Sequence, residues 1–139
     1  MLDNCALLLT CDQRGGLAFN RRRQRRSKVV IADMLELADQ PIYIRECSEK
    51  LFSPGEYVLF DNILDVPAGQ FVFEELGNDS ECYKDKYCEI VLYRWQRNYP
   101  SDVYLPDGLL NSYTLEDSRE IQIGSEEFVT VEIYKRGVI

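Results

Sequence analysis

Five arginines crowd six positions of this chain: Arg21, Arg22, Arg23, Arg25 and Arg26. A guanidinium is a permanent, planar charge whose forked donors fit carboxylates and phosphates. Ser27 follows directly and opens a segment with helical spacing. The run therefore sits beside the positive end of a helix dipole, where added positive charge is destabilising unless something negative neutralises it. Arg21, Arg22, Arg23, Arg25, Arg26 and Ser27 are the candidate anion-binding residues. Three things could supply the negative charge: acids of the same chain, an acidic partner, or a phosphate-bearing ligand. The chain has 24 Asp and Glu against 16 Lys and Arg, so internal pairing is the plainer outcome. A solvated, self-repelling loop is plainer still.

No other residue set carries as clear a chemistry. The chain has no histidine, which excludes Ser-His-Asp and Cys-His machinery and removes the usual imidazole ligands of catalytic zinc. Any general acid or base must be a carboxylate, Tyr, Lys or Cys. For an enzyme acting on a small molecule, Asp12, Asp33 and Tyr43 are the candidates, because sites in parallel sheets gather at strand ends. The preferred reading gives them structural places: Asp12 closes a turn, Asp33 is solvated and Tyr43 is core. No catalytic residue is assigned. Tyr93, Arg94, Trp95, Arg97 and Tyr99 form an aromatic and basic group that could stack on a base. The preferred reading makes Trp95 a core anchor, with Tyr93 on its face of a strand and the arginines pairing nearby acids.

The five cysteines, Cys5, Cys11, Cys47, Cys82 and Cys88, include no CxxC pair. An odd count without a secretory signal points to reduced thiols and a cytoplasmic protein. No metal and no cofactor is implied. The 139 residues suit one domain with one core. No apolar run reaches the ~18 residues of a membrane helix. Net charge is −8; without the five clustered arginines, eleven basic residues face 24 acidic ones, a balance of −13. Such a chain repels nucleic acid over a large footprint. Nine tyrosines could form an amphipathic rim at a sheet face or a homodimer contact.

Periodicity supplies the elements that position these residues. Residues 5–11 read as a first strand, ended by Cys11-Asp12 and a Gly15-Gly16 turn. Ser27 caps a helix over about 27–39, striped by Val30, Ile31, Met34, Leu37 and Ala38 and stopped before Pro41. Strands follow at 41–44, 56–60, 70–75, 89–95 and 103–105. Short helical turns are expected at 49–52, capped by Ser48, and at 61–66, capped by Asp61. Residues 112–123 and 127–134 form a closing hairpin. The fold class is α/β: a single domain over residues 1–139, with a mixed, mainly parallel sheet, flanking helices and a C-terminal antiparallel hairpin.

That order of elements resembles dihydrofolate reductase in an abbreviated, degenerate form, of a kind carried by small bacterial proteins. The resemblance rests on the first strand with Gly15-Gly16-Leu17, on Gln40-Pro41-Ile42-Tyr43-Ile44, and on Ser53-Pro54-Gly55 before Tyr57-Val58-Leu59. It extends to Arg97 through Pro106 and to the closing hairpin. It implies the reductase fold. Three departures keep it from implying reductase activity, folate or a nicotinamide cofactor. Where the family places a carboxylate early in its first helix, this chain has Ser27-Lys28. Where the family has a Gly-Arg-x-Thr phosphate turn, it has Arg45-Glu46-Cys47-Ser48. The glycine pair of the family's pyrophosphate-facing helix is missing, and only Ala68-Gly69 stands in that part of the chain.

The expected function is therefore a non-catalytic, reductase-like domain that binds a protein partner or a small anionic ligand. An enzyme with a diverged site on an unknown small molecule is the first alternative. Nucleic-acid or nucleotide binding through Arg21–Arg26 is the second.

Overall fold

A computed structural model describes residues 4–20, 22–23, 25–76 and 87–137. Its centre is β1 (Ala6–Cys11), buried along nearly its whole length. A strand without polar alternation must be covered on both faces, and β1 lies mid-sheet. The hairpin-like excursion β2 (Gly16–Phe19) and β3 (Arg22–Arg23) follows, then α1 (Lys28–Ala38), β4 (Ile42–Ile44), a 3-10 helix over Glu46–Leu51, and β5 (Tyr57–Leu59). After a 3-10 turn at Ile63–Asp65 come β6 (Phe71–Phe73), β7 (Glu89–Trp95), β8 (Val103–Tyr104), β9 (Tyr113–Gln122) and β10 (Phe128–Arg136).

Seven strands form the main sheet in the order β5-β4-β6-β1-β7-β10-β9. The pairings β5–β4, β4–β6, β6–β1 and β1–β7 are parallel, and β10 lies antiparallel to both β7 and β9. The expected mixed, mainly parallel sheet with a closing antiparallel hairpin is what the chain forms. A small second sheet, β3-β2-β8, stands beside it; the sequence pattern had left its first two strands as loop.

Strand alternation sorts the core into two layers. Leu8, Ile42, Ile44, Phe73, Val91, Tyr93 and Trp95 face α1, whose buried stripe is Val30, Ile31, Met34 and Ala38. Cys5, Leu7, Leu9, Val72, Ile90 and Leu92 face the other way, covered by Phe60, Val66, Tyr87, Leu109 and Tyr113. The α helix thus flanks one face, while 3-10 turn and loop cover the other among the described residues. Ser27 caps α1 as its type demands: its Oγ accepts from Val30 N–H at 3.4 Å. Asp39 ends the helix in the left-handed region at φ 52°, its N–H bonded to the Leu35 carbonyl. The turn at 63–65 is capped by Asn62 rather than by Asp61. Among the described residues no helix is long and apolar enough to cross a membrane.

Cys5, Cys11, Cys47 and Cys88 are free thiols; the first two are buried and Cys47 is exposed. Cys82 lies outside the described residues. Burial pushes the Cys11 thiol up to about 12. In the unfolded chain the same thiol ionises near its ordinary value of ~8.5. Above that pH the unfolded state holds fewer protons than the folded one, so stability falls as pH rises from there toward about 12. Cys11→Ala should flatten that alkaline slope in denaturant titrations at pH 8 and pH 10; an unchanged slope contradicts the burial. At neutral pH a thiol reagent should modify Cys47 well before Cys5 or Cys11, as peptide mapping reads directly.

Candidate functional site at the strand ends

Parallel strands expose ligand sites at their carboxyl ends, and here β1, β4, β5, β6 and β7 all end on one edge of the sheet. At the end of β1, Asp12 is fully buried. Its Oδ1 accepts from the Arg14 and Gly16 N–H groups at 2.9 and 2.8 Å, across a turn that Gly15 makes at φ 82°. Its Oδ2 accepts from Tyr99 N–H at 3.0 Å, tying this turn to the chain beyond β7. Fully buried and accepting three backbone N–H groups, Asp12 closes a turn as its sequence context suggests.

At the end of β6 stand two buried acids, Glu74 and Glu75, 2% and 4% exposed. A buried carboxylate is tolerable only when paired and hydrogen-bonded. Arg45, following β4, binds Glu74 through two contacts of 2.5 and 3.0 Å, donates to the Asp61 carbonyl at 2.8 Å, and lies 4.7 Å from the centre of the Phe60 ring. Arg23 of β3 binds both oxygens of Glu75 and the Cys47 carbonyl. The Ser48 hydroxyl donates to Glu75 at 2.7 Å, so Ser48 is a buried partner inside its 3-10 helix rather than the cap of that turn.

Arg25 completes the closure. It pairs with both oxygens of Glu127, just before β10, contacts the Tyr99 hydroxyl at 3.4 Å, and lies 5.8 Å from the Trp95 ring centre. The hydrogen bonds to Glu127 and Tyr99 hold the Arg25 guanidinium above its ordinary range, and the same Arg25 bond lowers the Glu127 carboxyl. The arginine segment is thus drawn across the strand ends. Beneath it, a cavity of about 10 Å³ lies between α1 and the ends of β1, β6 and β7, roughly the room one water needs.

The six predicted anion-binding residues divide. Arg21 lies outside the described residues. Arg23 and Arg25 are committed to acids of the chain, and Ser27 to its helix. Arg22 and Arg26 are exposed and have no acid partner among the described residues. Arg26, Ser27 and Lys28 join Lys50, Ile31 and Leu51 around an open recess of about 270 Å³.

Asp12, Asp33 and Tyr43 are not brought together. Asp33 sits mid-helix over the sheet, accepting from the Tyr93 hydroxyl at 2.7 Å and from Arg119 through two bonds of 2.9 Å. It pins α1 to β7 and β9, contrary to the expectation of a solvated side chain. The register that slides Tyr93 and Arg119 beneath it is a tertiary fact. Tyr43 points to the opposite face of the sheet, packing beside the layer that α1 does not cover. Trp95 is the expected core anchor, 2% exposed, and Arg94 pairs with Glu132 at 3.1 Å. Glu74, Glu75, Glu127 and Lys50 were not singled out by the sequence. The one available signal was Glu74-Glu75 itself, two acids ending an aromatic strand in a chain with a surplus of arginine elsewhere.

No protein-family model matches the sequence, and no curated protein matches it. Solved structures do. Dihydrofolate reductase from Enterococcus faecalis, determined with NADP(H) and RAB-propyl, superposes with a TM-score of 0.71 over 96% of each chain, at 9% sequence identity. The fold is that of dihydrofolate reductase. Identity so low carries the fold and nothing about the site. Within this reductase-like fold, α1 begins with Ser27 and Lys28 and no acid in its first turn. Strand β6, which follows Ala68-Gly69, runs into two buried glutamates.

Trp95 is the sole tryptophan, so it reports on the closure. Arg25→Ser removes the charge over its ring and the tie to Glu127, at a cost of about 1 kcal/mol. The expected result is stronger acrylamide quenching and a red-shifted Trp95 emission. Unchanged quenching would mean that the arginine segment does not shield the strand ends.

Proposed function

We propose that this is a non-catalytic, reductase-like domain of the cytoplasm that binds a small anionic ligand, or an acidic segment of a protein partner, on the free side of its arginine segment. The observation that carries the reading is the division of the cations. Arg23 and Arg25 are spent on closing the strand-end cleft. Arg26, Lys28 and Lys50 surround a 270 Å³ recess and have no acid partner among the described residues, in a chain with 24 acids. Ile31 and Leu51 give the recess an apolar wall, and the first N–H groups of α1 add to its positive potential.

The closed cleft supports the non-catalytic half of the reading. Binding a ring-sized substrate takes a cavity of hundreds of cubic ångströms, whereas the cavity among Arg25, Phe73, Glu75 and Trp95 holds about 10 Å³. Asp12, Asp33 and Tyr43 are dispersed over three places in the fold, so these three share no reacting centre. An overall charge of −8 argues against long polyanions and for a compact ligand.

Thermal shift with pyrophosphate at low salt tests the recess. The wild-type protein should be stabilised, and the effect should fade at high salt, since exposed charge contacts are screened within ~10 Å at 0.1 M. The Arg26→Ser/Lys50→Ser protein should not respond. Equal responses from both proteins remove the recess from consideration. Calorimetric titration with a reduced nicotinamide cofactor should show no micromolar binding, and dihydrofolate should not be reduced. Either signal overturns the non-catalytic reading.

A further inference from the structure

The β2–β3 excursion builds a second concave surface that shares no residue with the recess. It is an open groove of about 460 Å³ lined by Phe19, Asn20, Arg22, Arg23, Tyr99 and Pro100. Four observations bear on what it holds. Phe19 is 49% exposed although its neighbours Leu17 and Ala18 are buried. Phe19 and Arg22 are direct partners across the β2–β3 pair, so their side chains leave the same face of that ribbon. Asn20 makes the turn between them at φ 51°, held by its N–H on Asp102 Oδ2 at 3.0 Å. Tyr99 forms the far wall, fixed at its backbone by Asp12 and at its hydroxyl by Arg25.

The groove is thus walled by two aromatic side chains on well-tied backbone, and the space between them is unfilled. Among the described residues neither ring stacks on another ring; the ring pairs in contact are Phe52–Tyr57 and Phe52–Phe73. Nor does the Arg22 guanidinium lie over Phe19, since the two cation–π contacts are Arg25–Trp95 and Arg45–Phe60. Arg22 has no acid partner among the described residues, whereas Arg23 beside it is bound to Glu75. One free positive charge therefore stands beside an uncovered aromatic face. The volume falls in the range of small-molecule sites, roughly 300–1,000 Å³.

We propose that this groove binds a small aromatic anion, its ring held between Phe19 and Tyr99 and its negative group on Arg22. Stacking on exposed aromatic faces is tolerant of ring identity, so the groove selects a flat ring carrying a charge rather than one ring system. The net charge of the chain, −8, disfavours the same ring within a long anionic polymer. The proposal does not depend on the recess at the start of α1, because the two surfaces have separate lining residues.

Calorimetry on the whole chain with 1-naphthyl phosphate as probe tests it, with 1-naphthol and inorganic phosphate as its two halves. The wild-type protein should bind the probe one to one, at least about tenfold more tightly than either half. Phe19→Ser and Arg22→Ser should each weaken binding by about tenfold or more, with unchanged circular dichroism and melting, because both side chains are exposed. Should Phe19→Ser fail to fold, Phe19→Leu keeps apolar volume while removing the ring face and should show the same loss. The Arg26→Ser/Lys50→Ser protein should bind as wild type. Absence of binding to the wild type, equal binding of naphthol, or undiminished binding by the Phe19 and Arg22 variants overturns the groove. Loss confined to the Arg26→Ser/Lys50→Ser protein also overturns it, by placing the probe in the recess.

Discussion

Two adjacent carboxylates at the end of strand β6 are held out of water and must be compensated there, and the rest of the site follows from that. Glu74 and Glu75 are almost fully buried. An uncompensated buried charge costs several kcal/mol, and consecutive residues leaving a strand point to opposite sides. One cation cannot serve both. Arg45 reaches Glu74 from the end of the neighbouring strand β4, which is local. Arg23 must come from the far end of the β2–β3 excursion. Anchoring Arg23 there draws the whole arginine segment over the strand ends, brings Arg25 onto Trp95 and Glu127, and leaves α1 to start beneath it.

The same constraint explains why the cleft is closed from within. Strand ends of a parallel sheet, and the helix that follows them, present backbone groups that need partners. A ligand supplies those partners in many folds. Here side chains do: Arg45 takes the Asp61 carbonyl, Arg23 the Cys47 carbonyl, and Asp12 the N–H groups of Arg14, Gly16 and Tyr99. These bonds stabilise the edge and, by the same act, remove the groups that would recognise something else. The cations without an acid partner among the described residues, Arg22, Arg26, Lys28 and Lys50, stand on the outside of the segment.

The sequence made most of the scaffold legible. Periodicity located α1, its Ser27 cap and the strand Glu89–Trp95, because those signals are local and repeat over many residues. The β2–β3–β8 sheet was not legible, since strands of two to four residues carry no period and two of these read as a glycine turn and a charged loop. The site was legible only in outline. An arginine run announces that something negative lies near it, but not which arginine meets which acid. Arg22 and Arg23 are adjacent and chemically identical, yet the first has no acid partner among the described residues and the second is bound to Glu75, because the β2–β3 pairing turns them to opposite sides. Asp33 shows the same limit: a polar residue on a helix reads as solvated until Tyr93 and Arg119 are known to pass beneath it.

Interlocked pairs of this kind also tie each partner's burial to the other. Removing Glu75 alone strands Arg23 and the Ser48 hydroxyl beside an apolar cleft. Removing Arg23 alone strands a buried carboxylate, which is worse, since the carboxylate is the more buried partner. Replacing both together with apolar groups of similar volume is close to neutral in comparable buried pairs, but it would fill the cleft as firmly as the ion pair does. The outer surface is under no such coupling. Phe19, Arg22, Arg26 and Lys50 are exposed and form no ion pair among the described residues. Substitutions on the outside of the arginine segment therefore break no buried pair, while the inside is held by the two acids it covers.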